Sequence, residues 1–415
     1  MIKRITISIV VLFSMFSLAQ QSTSSPYSYF GIGETKFRGS PEQRAMGGIG
    51  VFPDSIHLNL LNPASYSSLK LTAITVGGGT TFNQQESSSD SGKTRRTSLD
   101  YLAIGIPMGK FGVAFGLNPQ TVVGYRIMSI NDDNSALSLN SGEGGSNRVF
   151  LGGAYQITPQ LSFGVEGSYY FGTINTLSRM YENTQYSTRT DTRVDLSGFS
   201  LGLGMMYRTK VNQKYDVYTS ANYISSYGLN FEKNITMGTI GVTPVGNEYY
   251  NDFVELPQEK ESYTMPSRFS VGAGFGQLKK WSVGTEFYFA GKNKISSPLS
   301  GSSATYDNTN AMRFSLGGYY IPKYNSFTSY FQRVTYRAGL RYENTGLVVN
   351  GQTINDMGVS AGFALPIGNG LSDLSFAFEY GKRGTKSAGL IQENYFNISI
   401  AVSITDKWFR KYLYD

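Results

Sequence analysis

The sequence predicts an all-β protein, a transmembrane antiparallel β-barrel of about fourteen strands. Three observations predict it. Short segments alternate strictly between apolar and small or polar residues, as in Leu374-Ser375-Phe376-Ala377-Phe378-Glu379-Tyr380 and in the run from Phe396 to Ile404. Successive strand side chains point to opposite faces, so each segment has one greasy and one polar face. No helical segment is available to cover the greasy face, which must then meet lipid while the polar face lines a lumen. Finally, the connections read alternately short and long, the pattern of a barrel with tight turns at one rim and larger loops at the other.

The chain opens with a secretory leader. Lys3 and Arg4 form a basic start, Ile5 to Phe16 is apolar but too short to span a bilayer, and Ser17-Leu18-Ala19 offers the small residues a signal peptidase reads. Residues 1–19 are therefore a signal peptide, and the mature chain begins at Gln20. Later apolar stretches are all interrupted by polar residues, and the mean hydropathy is only −0.22, as a barrel with a polar lumen requires. There is no cysteine, which excludes disulfides, thiol chemistry and a lipid anchor on an N-terminal cysteine. The 48 glycines, 30 tyrosines and 26 phenylalanines suit tight strand packing and interfacial aromatic girdles. Loss of Lys3 and Arg4 lowers the formal charge of +7 to +5, which fits loops facing anionic outer-membrane lipid and lipopolysaccharide. No basic–aromatic motif supports nucleic-acid binding.

Residues 20–70 lack alternation, carry Pro26, Pro41, Pro53 and Pro63, and read as a hatch or plug segment. The barrel occupies 71–405, with strands centred on Ile74, Leu102, Phe115, Leu151, Phe163, Leu203, Tyr218, Val271, Val283, Phe314, Tyr336, Val359, Phe376 and Ile400. Tight connections are expected at Met108-Gly109, Thr158-Pro159-Gln160, Gln277 to Lys280 and Pro366 to Gly370. Long polar loops are expected at Asn83–Thr97, Ser129–Asn147, Glu232–Ser262 and Gly291–Asn310. Both termini then fall on the periplasmic side, and residues 406–415 form a periplasmic tail with Trp408 and Phe409 as interfacial anchors.

The strand phase places Glu166, Glu286, Glu379, Arg268, Arg313, Arg337 and Arg341 on the lumen side, since a charge on the lipid face costs a few kcal/mol at mid-membrane. Mixed signs there point to carboxylate–guanidinium pairs bracing a filled lumen, whereas a charge-selective pore shows one dominant sign.

The hatch carries Arg44-Ala45-Met46-Gly47-Gly48-Ile49-Gly50-Val51 and then Asn59-Leu60-Leu61-Asn62-Pro63-Ala64-Ser65. With the opening Ser25-Pro26-Tyr27-Ser28-Tyr29-Phe30-Gly31-Ile32-Gly33, these motifs resemble the FadL family of outer-membrane transporters for long-chain fatty acids and other hydrophobic molecules. The resemblance implies that Gly47, Gly48, Asn62, Pro63 and Ala64 belong to a hatch inside a fourteen-stranded barrel. Irregular backbone at membrane depth is tolerable only when protein surrounds it. In the third strand, Phe111 to Leu117 alternates cleanly and Asn118-Pro119 then interrupts before Val122-Val123-Gly124. Proline cannot donate to a ladder, so a bulge or kink is expected near Gly116, Asn118, Pro119 and Gly124. FadL transporters resemble this arrangement, with a third-strand kink that opens a lateral gate. A bulge without a transport role is the other reading.

Enzymatic signatures are weak. His57 is the single histidine, and its neighbours Asp54 and Ser55 share one irregular segment, whereas a triad converges from separate elements. The glycine clusters precede no helix that would make a phosphate cradle. Asp132-Asp133-Asn134 lacks EF-hand spacing. Neither a cofactor nor enzymatic activity is expected. Two functions remain: passive uptake of a hydrophobic ligand with lateral exit near strand three, and an accessory barrel with protein partners in a larger outer-membrane machine for protein export or outer-membrane protein assembly. The first is preferred on the sequence, and either places the protein in the outer membrane of a Gram-negative bacterium.

Overall fold

A computed structural model describes residues 23–130, 136–182, 186–243, 247–293, 306–367 and 372–406. The signal peptide, Asp132-Asp133-Asn134 and the tail beyond Asp406 lie outside the described residues. The wall is a closed antiparallel barrel of 14 strands. These are β1 (Thr72–Glu86), β2 (Ser91–Met108), β3 (Phe111–Ile130), β4 (Ala136–Gln156), β5 (Leu161–Glu182), β6 (Ser187–Val211) and β7 (Tyr215–Ile224 continued by Tyr227–Val242). There follow β8 (Glu248–Glu255, Glu259–Met265 and Arg268–Gln277), β9 (Trp281–Ala290), β10 (Tyr306–Asn308 and Ala311–Tyr320), β11 (Thr335–Val349), β12 (Gln352–Ile367), β13 (Ser372–Arg383) and β14 (Gln392–Asp406). Each expected strand centre lies in its own wall strand. The ladder from Gln392↔Glu86 to Asp406↔Thr72 joins β14 to β1 and closes the cylinder.

The faces follow the alternation. On β5, Phe163 and Val165 point outward while Ser162 and Glu166 are buried inside. On β9, Val283 and Phe287 face outward while Ser282 and Glu286 face in. The lipid-facing surface is therefore apolar, and the packed core sits in the lumen between wall and hatch.

Three of the expected long loops are in fact strand. Residues 83–97 are the ends of β1 and β2 around a tight Ser87–Asp90 turn, and most of 129–147 and 232–262 is ladder. Polar residues on both faces read as loop, but backbone pairing continues beyond the bilayer, where no greasy face is needed. A tilted strand crosses with about 9–11 residues, and β6 has 25. The surplus of β3 to β8 forms a wing above the bilayer. Its edges have no neighbouring wall strand among the described residues: β2 and β3 pair only up to Leu102↔Leu117, beyond which β3 pairs on that side only with Glu34–Thr35, and Glu248–Met265 of β8 pairs only with β7.

The hatch threads the lumen from the wing end to the short-turn end. Pro26–Tyr29 forms a 3-10 turn, Glu34–Thr35 a two-residue strand, Pro41–Arg44 a single helical turn α1, and Pro63–Ser68 a second 3-10 turn. Proline begins three of these because its fixed φ suits a first helical position and its missing N–H costs nothing there. Gln43 Oε1 accepts the Ser40 N–H at 3.0 Å, which closes the start of α1. Asp406 lies at the short-turn end beside Thr72, but Thr23 to Ser25 lie at the opposite end, where Gln85 donates to the Ser24 carbonyl (2.6 Å) and Ser25 donates to Glu393 (2.8 Å). Thr23 and Asp406, the two ends of the described residues, therefore sit at opposite rims, because the hatch runs down the lumen before β1 begins.

Candidate functional site: the hatch seat and the seam beside Pro119

The hatch is seated in grooves cut by lumen-facing glycines. Gly112, Gly152, Gly164 and Gly204 on β3 to β6 leave room for the Pro63–Ser68 turn: a Cβ on Gly164 would lie 2.5 Å from the Ala64 nitrogen, and one on Gly204 would strike Asn62. Gly317 and Gly339 on β10 and β11 take the Met46–Gly47 backbone in the same way, and Gly362 on β12 makes room for the Ala45 methyl. Gly47 itself has φ +71°, the left-handed region, and donates to Ser360 Oγ at 3.0 Å. Gly48 follows at φ +88° under the Phe37 ring.

Asn62 ties this seat to the wall. Its Oδ1 accepts the Ala64 N–H (3.0 Å), capping the turn, and its Nδ2 donates to the carbonyls of Met205 and Ala221, each at 3.2 Å. Pro63 fixes the first residue of the turn. Tyr66 is fully buried and donates to Glu166 at 2.8 Å.

Arginines brace the hatch to the wall at two carboxylates. Glu166 receives Arg148 of β4 (2.8 Å) and Arg38 of the hatch (3.2 Å). Glu379 receives Arg341 of β11 (2.9 Å) and Arg44 of the hatch (3.1 Å), while Arg341 also reaches Asp356 (3.4 Å) and Glu343 (3.0 Å). A third link joins Arg383 of β13 to Glu34 of the hatch (2.5 Å) and to Asp356 (2.8 Å). Glu286 makes no ion pair among the described residues and accepts the Gly50 N–H at 2.7 Å. Arg313 lies over the Tyr288 ring at 4.9 Å. Arg268 and Arg337 are lumen-side but enter no ion pair among the described residues. Arg38, Arg44, Arg148, Arg383 and Asp356 were missing from the sequence reading. Arg148 lies just past a segment read as loop, and the others show their roles only once distant partners are placed.

The seam lies along β3. Its ladder to β2 ends at Leu117, and its register with β4 shifts between Pro119 and Thr121. Gly116 still pairs across to Ala103. Beyond it, Gln120 to Tyr125 are buried on both faces, so this stretch turns into the lumen. Asn118 is buried and accepts from Arg148 Nε at 3.0 Å. The hatch covers the inturned segment: Glu34 and Thr35 pair with Val122 and Thr121, Lys36 donates to the Gln120 carbonyl (3.0 Å), and Gly124 donates to Ser28 Oγ (3.2 Å). A Cβ at Gly124 would strike the Thr23 carbonyl. Ser24 Oγ meets Thr94 Oγ1 of β2 at 2.5 Å, so the N-terminal segment bridges the unladdered seam.

Between this segment and the wall lies a cavity of about 390 Å³. Its lining is mixed, with Tyr27, Phe30 and Met265 beside Arg38, Arg313 and Glu286. Lower in the hatch, His57 lies between two carboxylates: Nδ1 meets Asp54 Oδ2 at 2.6 Å, and Nε2 touches Asp373 at the start of β13. Burial disfavours the imidazolium, but Asp373 and Asp54 outweigh it and hold the His57 pKa well above the ordinary histidine range. Among the described residues no serine hydrogen-bonds the His57 ring.

Among curated proteins no match is found. Solved structures share the fold. The Pseudomonas putida toluene transporter TodX superposes with a TM-score of 0.59 at 15% identity, covering 88% of this chain and 96% of its own. The CymD monoaromatic hydrocarbon channel gives 0.58 at 14% identity, covering 90% and 99%. A Pseudomonas aeruginosa FadL homologue gives 0.55 at 11% identity, covering 92% and 100%. At these identities the likeness establishes the fold, a FadL-like β-barrel, and nothing finer. The BamG family profile matches residues 1–415, the whole sequence, and the chain belongs to the BamG family.

Proposed function

We propose that this chain is a closed accessory barrel in a multi-protein outer-membrane machine for protein export or outer-membrane protein assembly, working through its surfaces rather than its lumen. The observation that carries this reading is the seating of the hatch. It fills glycine grooves on seven strands, and ion pairs tie it to β5 through Arg38 and to β13 through Arg44 and Glu34. Removing it takes one of two arginine partners from Glu166 and from Glu379 and takes Glu34 from Arg383, weakening three charge clusters inside the barrel at once. Such a hatch is part of the wall. A protein partner finds apolar surface on the free edge of the wing, where Tyr249, Phe253 and Val254 of β8 are exposed. Membership in the BamG family supports the same reading.

The seam favours a second reading, uptake of a hydrophobic small molecule with lateral exit beside Pro119. It is an unladdered stretch of wall next to a cavity, and hydrocarbon channels share the fold. Purification at native abundance in mild detergent separates the two. A stable complex with other outer-membrane proteins is expected, and a partner-free monomer would sink the accessory reading. The pair Ser24→Cys and Thr94→Cys, introduced into a chain without cysteine, locks the N-terminal segment across the seam. Loss of hydrophobic uptake on oxidation would establish the second reading.

A further inference from the structure

We infer that Glu42, His57 and Asp373 form a binding site for a divalent transition metal, of which zinc is the best-matched ion, clamping the hatch to β13 at the short-turn end of the lumen. Each residue offers one ligand atom, and the three atoms lie within 4.8 Å of one another. They come from three separate elements: α1, the irregular hatch segment after Pro53, and the first turn of β13. A tetrahedral ion with bonds near 2.0–2.2 Å needs ligand separations of roughly 3.3–3.6 Å, so binding requires the three side chains to adjust around the ion.

Two independent features point to a cation. Asp373 is only 6% exposed, yet its Oδ1 is buried and accepts no hydrogen bond. Glu42, 7% exposed, enters no ion pair or hydrogen bond with any described residue. The Asp373 carboxylate is thus satisfied at Oδ2 by His57 alone, and a divalent ion would engage its free oxygen together with Glu42. Three carboxylates (Glu42, Asp54 and Asp373) face one imidazole.

The second feature is orientation. Asp54 Oδ2 meets His57 Nδ1 at 2.6 Å, and the other oxygen, Oδ1, accepts the Ile56 N–H at 3.0 Å. Asp54 thus holds the Nδ1 proton and orients the ring so that Nε2, which meets Asp373 through a proton in the metal-free protein, is the nitrogen left for an ion. This carboxylate–histidine relay is the support that metal-bound imidazoles receive. The metal replaces a proton on Nε2, so the neutral ring is the liganding form. A set of one nitrogen and two oxygens suits zinc, with water in the fourth position. The Asp54 side chain is 37% exposed, which gives an ion a path from the rim.

The test uses the full mature chain, untagged, in detergent, stripped with chelator and then titrated with zinc chloride. One zinc per barrel is expected, with X-ray absorption showing one nitrogen and two protein oxygens near 2.0–2.2 Å. His57→Gln and Glu42→Gln should each weaken binding at least tenfold. If His57→Gln fails to fold, Glu42→Gln and the wild-type stoichiometry still decide. No zinc bound by the stripped wild-type protein, or equal affinity in Glu42→Gln, would overturn the site and leave His57 as a proton-bridged tie between two aspartates.

Discussion

Asn62 offers the most direct measure of how firmly the hatch is held. Asn62→Ala removes three hydrogen bonds together: the cap to the Ala64 N–H at 3.0 Å and two wall contacts at 3.2 Å, to Met205 and Ala221. A lost cap costs about 1 kcal/mol, and each neutral hydrogen bond contributes about 0.5–1.5 kcal/mol. The sum is about 2–4 kcal/mol. Asn62→Ser keeps an oxygen able to cap the turn and loses only the wall contacts, so it should cost about 1–3 kcal/mol. The barrel ladders are untouched in both variants, and the loss falls on local opening of the hatch rather than on global unfolding. Amide hydrogen exchange over Ala64 to Leu69 reads this opening directly. A cost of 2–4 kcal/mol accelerates exchange about 30- to 1,000-fold, because about 1.4 kcal/mol is tenfold at room temperature. The serine variant should fall between alanine and wild type. If exchange in Asn62→Ala rises less than about threefold while the strands stay protected, the hatch is not anchored through this residue and the argument for a permanently seated plug weakens.

Other perturbations probe the same seat. Gly204→Val suits a strand but puts its side chain against Asn62 and the Ala64 nitrogen, so overpacking of about 1–3 kcal/mol should loosen the hatch and raise protease cleavage near Pro63 while the barrel still forms. Arg148→Met leaves Asn118 without its donor and Glu166 dependent on Arg38 and Tyr66; a loss of about 3 kcal/mol is expected in the denaturant midpoint, and restoration by Glu166→Gln would identify the stranded charge as the cause. In chelator-stripped protein, the raised pKa of His57 sets the sign of a pH effect. Its contribution is fully present below the unfolded value of about 6.5 and is lost as pH rises through the folded pKa. The groups facing the ring are Asp54, Asp373 and Glu42, with Arg337 acting on Asp54. Hydrogen exchange over 54–58 should therefore accelerate at alkaline pH beyond its intrinsic rise, and His57→Gln should abolish the excess.

Much of the fold is legible in the residues themselves. A two-residue period needs no partner to be recognised, so strand positions such as Phe163 or Phe376 and the inward phase of Glu166 and Glu379 follow from the chain alone. Strand ends were harder to read. Beyond the bilayer neither face must be greasy, and the polar extensions around Ser141 or Asp252 lose the signal while keeping the ladder.

The sequence by itself determined the barrel, its strand number, the location of the irregular hatch and the chain position where β3 must bend, because period, proline and glycine act on local backbone. Only the tertiary structure decided what these features do together. It paired Arg44 with Glu379 and Arg383 with Glu34, partners more than 300 residues apart. It laid Thr23–Thr35 across the gap that Pro119 helps to open, and it brought Asp373 to His57. Those contacts depend on closing β14 onto β1 around the hatch, and no local pattern encodes which glycine groove receives which turn.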